Sequence, residues 1–377
     1  MIIFQGGLQV QPAPVLLRRT RGPSQWPRES KSRTIVGGAS ARGLVLKRAG
    51  TFHEPVQGRC SLSNVSMRHL IECVPNFSEG RDSARMEALA AAMSGVAGAG
   101  VLVRHSDPDH NRSVITLAGE PEAVAEAALR GVGAAAELID LNQHRGIHPR
   151  MGATDVLPFV PVEGVTMEEC AALAHQTGRR IWERYQVPVY FYEAAALRPE
   201  RTALEQVRKG QFEGLRREAP LDSSRAPDVG GPQLHPTAGA IAVGARKFLI
   251  AYNINLNTPD AAIAQAIARA IRASTGGLPA VKAMGIALAS RGISQVSMNL
   301  TDFERTSLQQ VYEAVQREAG RHGCTIAGSE IVGLVPQKAL DATAEYFGTL
   351  VNFSPAQVLE NRLAAAMSQK EAAGVSA

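Results

Sequence analysis

The stretch from Val101 to Ala118 reads VLVRHSDPDHNRSVITLA. Its two ends are apolar and rich in β-branched residues, and Asp107-Pro-Asp-His-Asn111 between them has the composition of a turn. The stretch therefore predicts a pair of strands, Val101–His105 and Ser113–Ala118. Working outward, the same patterning predicts the flanking elements: a strand at His69–Val74, a helix at Arg81–Ser94, an Ala-rich helix at Pro121–Leu141 and a strand at Asp155–Val162.

The second half of the chain repeats this order. Strands are predicted at Phe248–Leu256, Val281–Ala289, Ser294–Leu300 and Thr325–Val332, with helices beginning at Thr258-Pro259 and at Thr306. Each half therefore predicts a β-α-β-β-α-β unit, the ferredoxin-like order, with helices on one face of the sheet. The fold class is α/β (α+β). Additions are a helix from Thr166 with a capping box to Glu169, a strand at Val187–Glu193 and a helix at Pro336–Tyr346.

These elements suggest four segments. Residues 67–245 form an N-terminal unit, residues 246–340 a C-terminal unit, and residues 341–377 a helical tail. Inside the first unit, residues 211–239 are rich in Pro and Gly and predict a long irregular loop. Residues 1–66 show no sustained period, and we expect them to be disordered or a mis-called extension before a true start at Met67.

Charge and composition exclude several classes of protein. The net charge of +5 comes from residues 1–66, which hold ten Lys or Arg and two acids, whereas residues 67–377 sum to −3. The basic balance therefore predicts no nucleic-acid partner. No apolar run reaches the length of a membrane span, so no membrane association is expected. The four scattered cysteines indicate neither a disulfide framework nor a cysteine zinc site, which fits a cytoplasmic protein.

The first polar cluster, Val74-Pro-Asn-Phe-Ser-Glu-Gly80, follows the opening strand. It is typical of a turn in which Ser78 or Asp82 caps the next helix. Alternatively, Asn76 and Glu79 face a ligand from the end of the strand.

The second cluster, His105-Ser-Asp-Pro-Asp-His-Asn-Arg112, resembles the start of an EF-hand loop. That match fails, because Arg112 stands where the loop needs glycine and Ala118 where it needs glutamate. A hairpin turn accounts for the residue types, but the density of polar groups favours a functional role for this cluster.

The third cluster is His144-Arg-Gly-Ile-His-Pro-Arg150. His144 and His148 have the spacing of a helical zinc site, but Gly146 and Pro149 disfavour a helix there. The alternative is a loop that holds one imidazole beside arginines, where it can take and return a proton near neutral pH. A purely structural histidine stays open.

Together these segments resemble the formiminotransferase family. The matching stretches, in order along the chain, are Ile71–Gly80, Asn111–Val114, His148–Ala153 with Asp155, Gly244–Ile250, Asn253–Leu256, Gln295–Leu300 and Gly333–Pro336. The resemblance implies two α/β subdomains around a folate groove. It also implies transfer of the formimino group from N-formimino-L-glutamate to N5 of tetrahydrofolate, a late step of histidine degradation, with tetrahydrofolate as co-substrate and no metal.

The resemblance also implies site residues. The catalytic histidine of the family falls on His148, and Asp107 is the best match to its aspartate. Its folate-binding loop falls on Gly230, Gly231, Pro232, Gln233, Leu234, His235, Pro236, Thr237, Ala238 and Gly239, where the sequence diverges from the family. We expect the substrates to contact Asn76, Glu79, Arg112, His144, Arg150, Arg246, Lys247 and Asn253, because both carry carboxylates that arginine and lysine bind.

Three other functions stay open from the sequence. A relative could use 5-formyltetrahydrofolate or another formimino donor, a zinc amidohydrolase could use His144 and His148, and a non-catalytic protein could bind folate alone. About 37 residues follow Leu340, so we expect no cyclodeaminase domain of the kind found in animal members. A homodimer is expected from the family.

Overall fold

The structure is a computed structural model that describes residues 69–108, 110–146, 149–288, 291–341, 350–351 and 353–374, and side chains up to residue 366. The expectation for residues 1–66 falls outside the described residues, as do His148, Asp109 and the part of the predicted helix Pro336–Tyr346 after residue 341. None of the helices in the described ranges is long and apolar enough to cross a membrane.

The first half of the described chain forms one sheet with helices on one side. Its strands are β1 (Leu70–Cys73), β2 (Asn76–Phe77), β3 (Ala99–Asp107), β4 (Arg112–Gly119), β5 (Thr154–Glu163), β6 (Val189–Glu193) and β7 (Ile241–Ala245). Its helices are α1 (Ser83–Met93), α2 (Pro121–Leu138), α3 (Met167–Tyr185), α4 (Leu204–Val207) and α5 (Gln211–Glu218).

The second half forms a separate sheet. Its elements are β8 (Ile250–Leu256), α6 (Ala261–Ile271), β9 (Val281–Leu288), β10 (Ile293–Leu300), α7 (Leu308–Arg321), β11 (Ile326–Val332), α8 (Gln337–Asp341) and α9 (Leu359–Gly374). All pairings in this sheet are antiparallel, in the order β11-β8-β10-β9.

The predicted hairpin is confirmed, because β3 pairs antiparallel with β4 from Ala99–Gly119 to Asp107–Arg112. Next to it, β4 pairs with β1 and β1 with β5, both antiparallel. The four strands of the predicted β-α-β-β-α-β unit therefore lie side by side in the order β5-β1-β4-β3. The equivalent strands of the second sheet lie in the same order, β11-β8-β10-β9. Beyond β5, the strands β7 and β6 extend the sheet in parallel.

Helix starts follow local signals. Oδ1 of Asp82 accepts hydrogen bonds from the backbone N–H groups of Ala84 and Arg85 at 2.9 and 3.1 Å, which caps α1. The predicted capping box at α3 is confirmed, since Thr166 and Glu169 each bond the backbone of the other at 3.1 and 2.8 Å. For α6 the predicted start was two residues early, because Asp260 is the capping residue.

The described chain has two apolar cores, and the second of them includes residues of both halves. One lies between the first sheet and α1–α3 and is centred on buried residues such as Phe77, Leu117 and Leu129. The other lies between the second sheet, α6 and α7, and includes Leu70 and Val160 from the first sheet. Helix α9 joins them, since Nε of Arg362 donates to the carbonyl oxygen of Leu102 on β3 at 2.9 Å.

The prediction of an irregular loop over residues 211–239 was wrong at its start. Helix α5 occupies Gln211–Glu218, with Phe212 and Leu215 buried in the first core. Gly210 enters the left-handed region (φ 86°) just before the helix, a conformation that suits glycine. The prediction failed because the segment after residue 219 is rich in proline, so the composition of the whole stretch did not indicate this short amphipathic helix.

Candidate active site

The β3–β4 turn contacts the segment that follows α2. Oδ1 of Asn111 accepts a hydrogen bond from the backbone N–H of Gly80 at 3.0 Å, and Nδ2 of Asn111 donates to the carbonyl oxygen of Arg145 at 3.0 Å. Glycines permit this close approach: a Cβ on Gly80 would lie 2.4 Å from the Asp107 carbonyl oxygen, and one on Gly146 would lie 2.3 Å from that of His110. The three polar clusters of the sequence therefore meet here.

His144 is bonded at both ring nitrogens. Nε of Arg150 donates to Nδ1 of His144 at 3.2 Å, and Nε2 of His144 lies 2.9 Å from the carbonyl oxygen of Asn111. A guanidinium can only donate, so Nδ1 accepts and Nε2 carries the proton that bonds Asn111. Burial first, then the Arg150 charge, lowers the pKa of His144, although the Asn111 carbonyl opposes them. His144 is therefore a neutral side chain that connects Arg150 to the β3–β4 turn.

Arg150 has its charge balanced by α5. Its NH1 and NH2 atoms lie 2.9 and 2.7 Å from the two carboxylate oxygens of Glu213, a forked ion pair. The backbone N–H of Phe212 donates to the Arg150 carbonyl oxygen at 2.9 Å. The segment on the C-terminal side of His148 is thereby fixed to α5.

His148 itself, with Ile147, lies outside the described residues. The structure does describe both flanks: Arg145 and Gly146 are held against the β3–β4 turn, and Arg150 against α5. The acid–base role of His148 stays a prediction.

Asp107 ends β3 and is 5% exposed. Its Oδ2 lies 2.7 Å from Nδ1 of His110, and its Oδ1 accepts from the His110 backbone N–H at 2.9 Å. On the same strand, burial lowers the pKa of His105 to about 4, although the Asp107 carboxylate opposes the shift. Asp107 is therefore a buried carboxylate that follows, two residues on, a histidine whose pKa of about 4 keeps it neutral at pH 7.

Arg112 opens β4 and is 6% exposed. It donates to Oδ1 of Asn76, whose Nδ2 donates to the Val74 carbonyl oxygen at 2.7 Å. Burial, followed by the nearby Arg208, lowers the pKa of Arg112 to about 9. Arg208 in turn pairs with Asp155, which also accepts from the backbone N–H of Met151 at 2.8 Å.

A small cleft, called the pocket below, lies at this junction. It is lined by Phe77, Ser78, Asn111, Arg112, His144, Arg150 and Asp155. Three of these were predicted substrate contacts, so the structure brings Arg112, His144 and Arg150 to one place. The pocket combines two arginines, a carboxylate and a neutral imidazole, a set suited to a small anionic ligand.

Glu79 faces its own segment. Its Oε1 accepts from the backbone N–H groups of Arg81 and Asp82 at 2.9 and 3.0 Å, and its Oε2 pairs with Arg85 at 3.1 Å. Both oxygens thus stabilise the turn into α1. A contact between Glu79 and substrate stays a prediction.

The predicted folate loop, residues 230–239, lies along the segment that carries His144. The carbonyl oxygen of Thr237 accepts from the backbone N–H of Leu141 at 2.9 Å, and that of Ala238 accepts from Ala153 at 2.8 Å. Inside the loop, His235 and Gly239 exchange backbone hydrogen bonds of 2.9 and 3.1 Å. The two segments predicted to hold the folate and the catalytic histidine are therefore adjacent.

Three predicted contacts have their partners elsewhere. Nζ of Lys247 pairs with Asp302 at 2.7 Å, and Nδ2 of Asn253 donates to Oε1 of Glu330 on β11 at 3.2 Å. Arg246 follows β7, and its backbone N–H donates to the Phe159 carbonyl oxygen at 3.0 Å. The contacts found for these residues do not include the pocket lining.

Glu72 is a buried carboxylate that the sequence did not single out. It lies on β1 opposite Ala118 and Val160 and is 4% exposed. Burial raises its pKa to about 7, and the Arg246 charge opposes the shift. Glu72 is thus a buried carboxyl group that the Arg246 charge partly stabilises in its ionised form.

Known proteins resemble this chain along nearly all of its described length. The model of the formiminotransferase domain, N-terminal subdomain, matches residues 70–246, and that of the formiminotransferase domain matches residues 251–362. The chain belongs to the formiminotransferase family. The curated glutamate formimidoyltransferase of Streptococcus pyogenes serotype M1 is 47% identical over 298 residues, covering 79% of this chain and 99% of that protein.

Other family members agree. The glutamate formimidoyltransferase of Thermoplasma acidophilum is 46% identical over 296 residues, covering 78% of this chain and 97% of its own. The formimidoyltransferase-cyclodeaminase of Mus musculus is 44% identical, and the match covers 74% of this chain but 53% of the mouse protein. The chain is therefore a transferase. It matches about half of the bifunctional mouse protein.

Reasoning from the sequence missed Arg208 and Glu213, which pair with residues that line the pocket, and the buried Glu72. Asp155 and Arg208 are 53 positions apart, and Arg150 and Glu213 are 63 apart. Local spacing carries no signal for such pairs. Glu72 stands inside the matching stretch Ile71–Gly80, and its place between a buried isoleucine and a buried cysteine is the one signal that could have indicated it.

Proposed function

We propose that this protein is a glutamate formimidoyltransferase, which moves the formimino group from N-formimino-L-glutamate to N5 of tetrahydrofolate in histidine degradation. The observation that carries the proposal is the identity of 47% and 46% to two proteins of that name over 99% and 97% of their lengths. The pocket, with its arginines and neutral imidazole, is compatible with this chemistry.

The reaction needs one proton taken and one returned. N5 attacks the formimidoyl carbon and forms a C–N bond, and N5 loses its proton. The bond from that carbon to the glutamate nitrogen then breaks, and the nitrogen leaves with a proton as glutamate. One imidazole can act as base and then as acid, and we assign this role to His148. Asp107 would hold the formimidoyl group protonated, because a nearby carboxylate favours the cation.

The surroundings of His148 support this assignment. Its segment is anchored on one side through Asn111 and on the other through Glu213. Asp107 lies at the end of β3, four residues before the same Asn111. Short anchors on both sides would restrict the position of an imidazole, which a group that transfers protons requires.

We further propose that each half is a ferredoxin-like subdomain and that the folate lies in a groove between them. The shared lateral order of the four strands in each half supports the first part. The contact of residues 230–239 with the His144 segment supports placing the pterin at the pocket. The proposal includes a homodimer and a cytoplasmic location.

An assay of donors side by side tests the proposal. The purified protein should consume N-formimino-L-glutamate only when tetrahydrofolate is present, and glutamate and the 5-formimino folate should appear in equal amounts. Faster turnover of 5-formyltetrahydrofolate or of another formimino compound would show that the assigned donor is wrong. Loss of formiminoglutamate without tetrahydrofolate would indicate a hydrolase instead.

The zinc amidohydrolase alternative is disfavoured by two contacts of His144. It requires a ring nitrogen of His144 for the metal, whereas Nδ1 accepts from Arg150 at 3.2 Å and Nε2 bonds Asn111 at 2.9 Å. A zinc ion would have to displace one of these partners.

A further inference from the structure

Arg112 and Arg208 are neighbouring cations, and the carboxylates of Asp155 and Asp107 both lie near enough to act on the Arg112 charge. The side chain of Arg208 is 13% exposed and pairs with Oδ2 of Asp155. Oδ1 of Asp155 accepts from the backbone N–H of Met151 at 2.8 Å, so both oxygens of this carboxylate are engaged. Asp155 therefore fixes the position of Arg208.

The described residues leave donors of both arginines unsatisfied. Nε of Arg112 and Nε of Arg208 are buried and have no hydrogen-bond partner among the described residues. Arg112 bonds the neutral amide oxygen of Asn76, and no described carboxylate lies within the 4 Å of an ion pair. A buried charge without an opposite charge is costly, so an anion beside Arg112 would stabilise it.

Arg150 shows the contrast within the same pocket. Its fork is occupied by Glu213 at 2.9 and 2.7 Å, and its Nε bonds His144. Arg150 therefore has its charge neutralised by the protein and stabilises the His144 segment. Of the two arginines that line the pocket, Arg112 is therefore the one that has no described carboxylate at ion-pair distance.

We propose that Arg112 and Arg208 form a receptor for a carboxylate of a glutamate unit, with Asp155 as the positioning residue that orients Arg208. The proposal rests on the proposed function, in which a glutamate unit occurs twice: in the donor and in the tail of the folate. Both present the same carboxylate chemistry, and a guanidinium pair matches it in charge and in hydrogen-bond geometry.

The substitution Arg208→Gln tests the receptor, with Arg208→Lys as the variant that keeps the charge and loses the fork. Arg321→Gln is the matched control, because Arg321 pairs with Glu318 at 2.6 Å on the exposed side of α7. For each variant we would measure KM for N-formimino-L-glutamate, for tetrahydrofolate and for tetrahydropteroate, which lacks the glutamate tail. Calorimetry with glutarate measures carboxylate binding without turnover.

Loss of a charge-assisted pair of hydrogen bonds should raise the affected KM about 10- to 100-fold in Arg208→Gln. Arg208→Lys should show a smaller rise, and Arg321→Gln no change. A rise for formiminoglutamate alone assigns the receptor to the donor. A rise for tetrahydrofolate with no rise for tetrahydropteroate assigns it to the folate tail.

Two outcomes would overturn the receptor. One is an unchanged KM for all three substrates in folded Arg208→Gln and Arg208→Lys. The other is an equal rise for tetrahydrofolate and tetrahydropteroate with the donor unaffected, because the arginine would then act on the pterin. If Arg208→Gln does not fold, Arg208→Lys decides by the same comparison. Glutarate binding that depends on Arg208 in a protein without formimino transfer would sink the proposed function and leave the receptor standing.

Discussion

Arg150 donates a hydrogen bond from Nε to Nδ1 of His144 at 3.2 Å while its two terminal nitrogens bind both oxygens of Glu213. One side chain thereby joins the loop after α2 to helix α5. The side chain of Arg150 is 9% exposed and that of Glu213 is 58% exposed, so solvent screens the ion pair at its Glu213 end.

The substitution Arg150→Lys should therefore destabilise the fold. Lysine keeps the charge but cannot bond His144 and both oxygens of Glu213 at once, so we expect a loss of about 1–3 kcal/mol in the free energy of unfolding. Urea unfolding measures it. Glu213→Gln, at the exposed end, should cost less than about 1 kcal/mol. If both variants were as stable as the wild type, the contacts of Arg150 with His144 and Glu213 would not stabilise the fold.

Gly146→Ala should disturb the contact between the His144 segment and the β3–β4 turn. The new Cβ would lie 2.3 Å from the carbonyl oxygen of His110, and neither backbone can yield without cost. We expect a loss of about 1–3 kcal/mol in unfolding free energy, together with reduced activity. The control is Gly320→Ala in α7, where nothing lies within 4 Å of the new Cβ. It should stabilise the protein by about 0.5–1 kcal/mol, and equal effects of the two changes would refute the steric argument.

Glu72→Gln should change stability in a pH-dependent way. The pKa of Glu72 rises from 4.5 in the unfolded chain to about 7 in the folded protein because burial disfavours its charge. Its favourable contribution is therefore complete below pH 4.5 and is lost as the pH rises through 7. Glutamine avoids this loss, so the variant should gain up to about 3 kcal/mol over the wild type at pH 8 and almost nothing at pH 4.5.

Unfolding curves at pH 4.5, 6 and 8 would show that trend. Glu126→Gln supplies the opposite sign: burial raises the pKa of Glu126, but Arg130, Arg184 and Arg180 lower it below its usual value overall. Relative to the wild type, that variant should lose stability as the pH rises towards the ordinary pKa of a glutamate, and the loss should stay constant above it. A Glu72→Gln difference that does not vary with pH would contradict the assigned burial cost.

Asp107→Asn should lower turnover and leave folding intact. Asparagine retains an oxygen for the His110 backbone N–H, which Oδ1 of Asp107 now accepts at 2.9 Å, but it lacks the negative charge that would hold the formimidoyl group protonated. We expect kcat to fall about 100-fold with KM for tetrahydrofolate unchanged. Wild-type kcat in the variant would remove Asp107 from the mechanism.

The sequence predicted what local patterns encode. The Thr166 capping box, the hairpin around Asp107 and the order of strands and helices all depend on neighbouring residues, and the structure agrees with them. Strand β7 was missed because a short, fully buried parallel strand has no alternating pattern. Helix α5 was missed because the proline-rich stretch after it dominated the composition.

The candidate site was predicted only in part, for a related reason. The density of polar residues identified the segments that hold Asp107, Arg112 and His144. Of these three residues, Arg112 and His144 line the pocket. Their partners come from far along the chain, as Arg208 does for Asp155 and Glu213 for Arg150. Which arginine is neutralised by the protein and which is left for a ligand therefore depends on tertiary contacts.

The central claim is that His148 transfers the protons in formimino transfer to tetrahydrofolate. Its most direct test is the initial rate of 5-formiminotetrahydrofolate formation by the wild type and by His148→Ala, with tetrahydrofolate binding measured separately by calorimetry. We predict rapid formation by the wild type and a loss of about 100- to 10,000-fold in kcat for the variant, with tetrahydrofolate still bound. Near wild-type turnover by His148→Ala would contradict the claim.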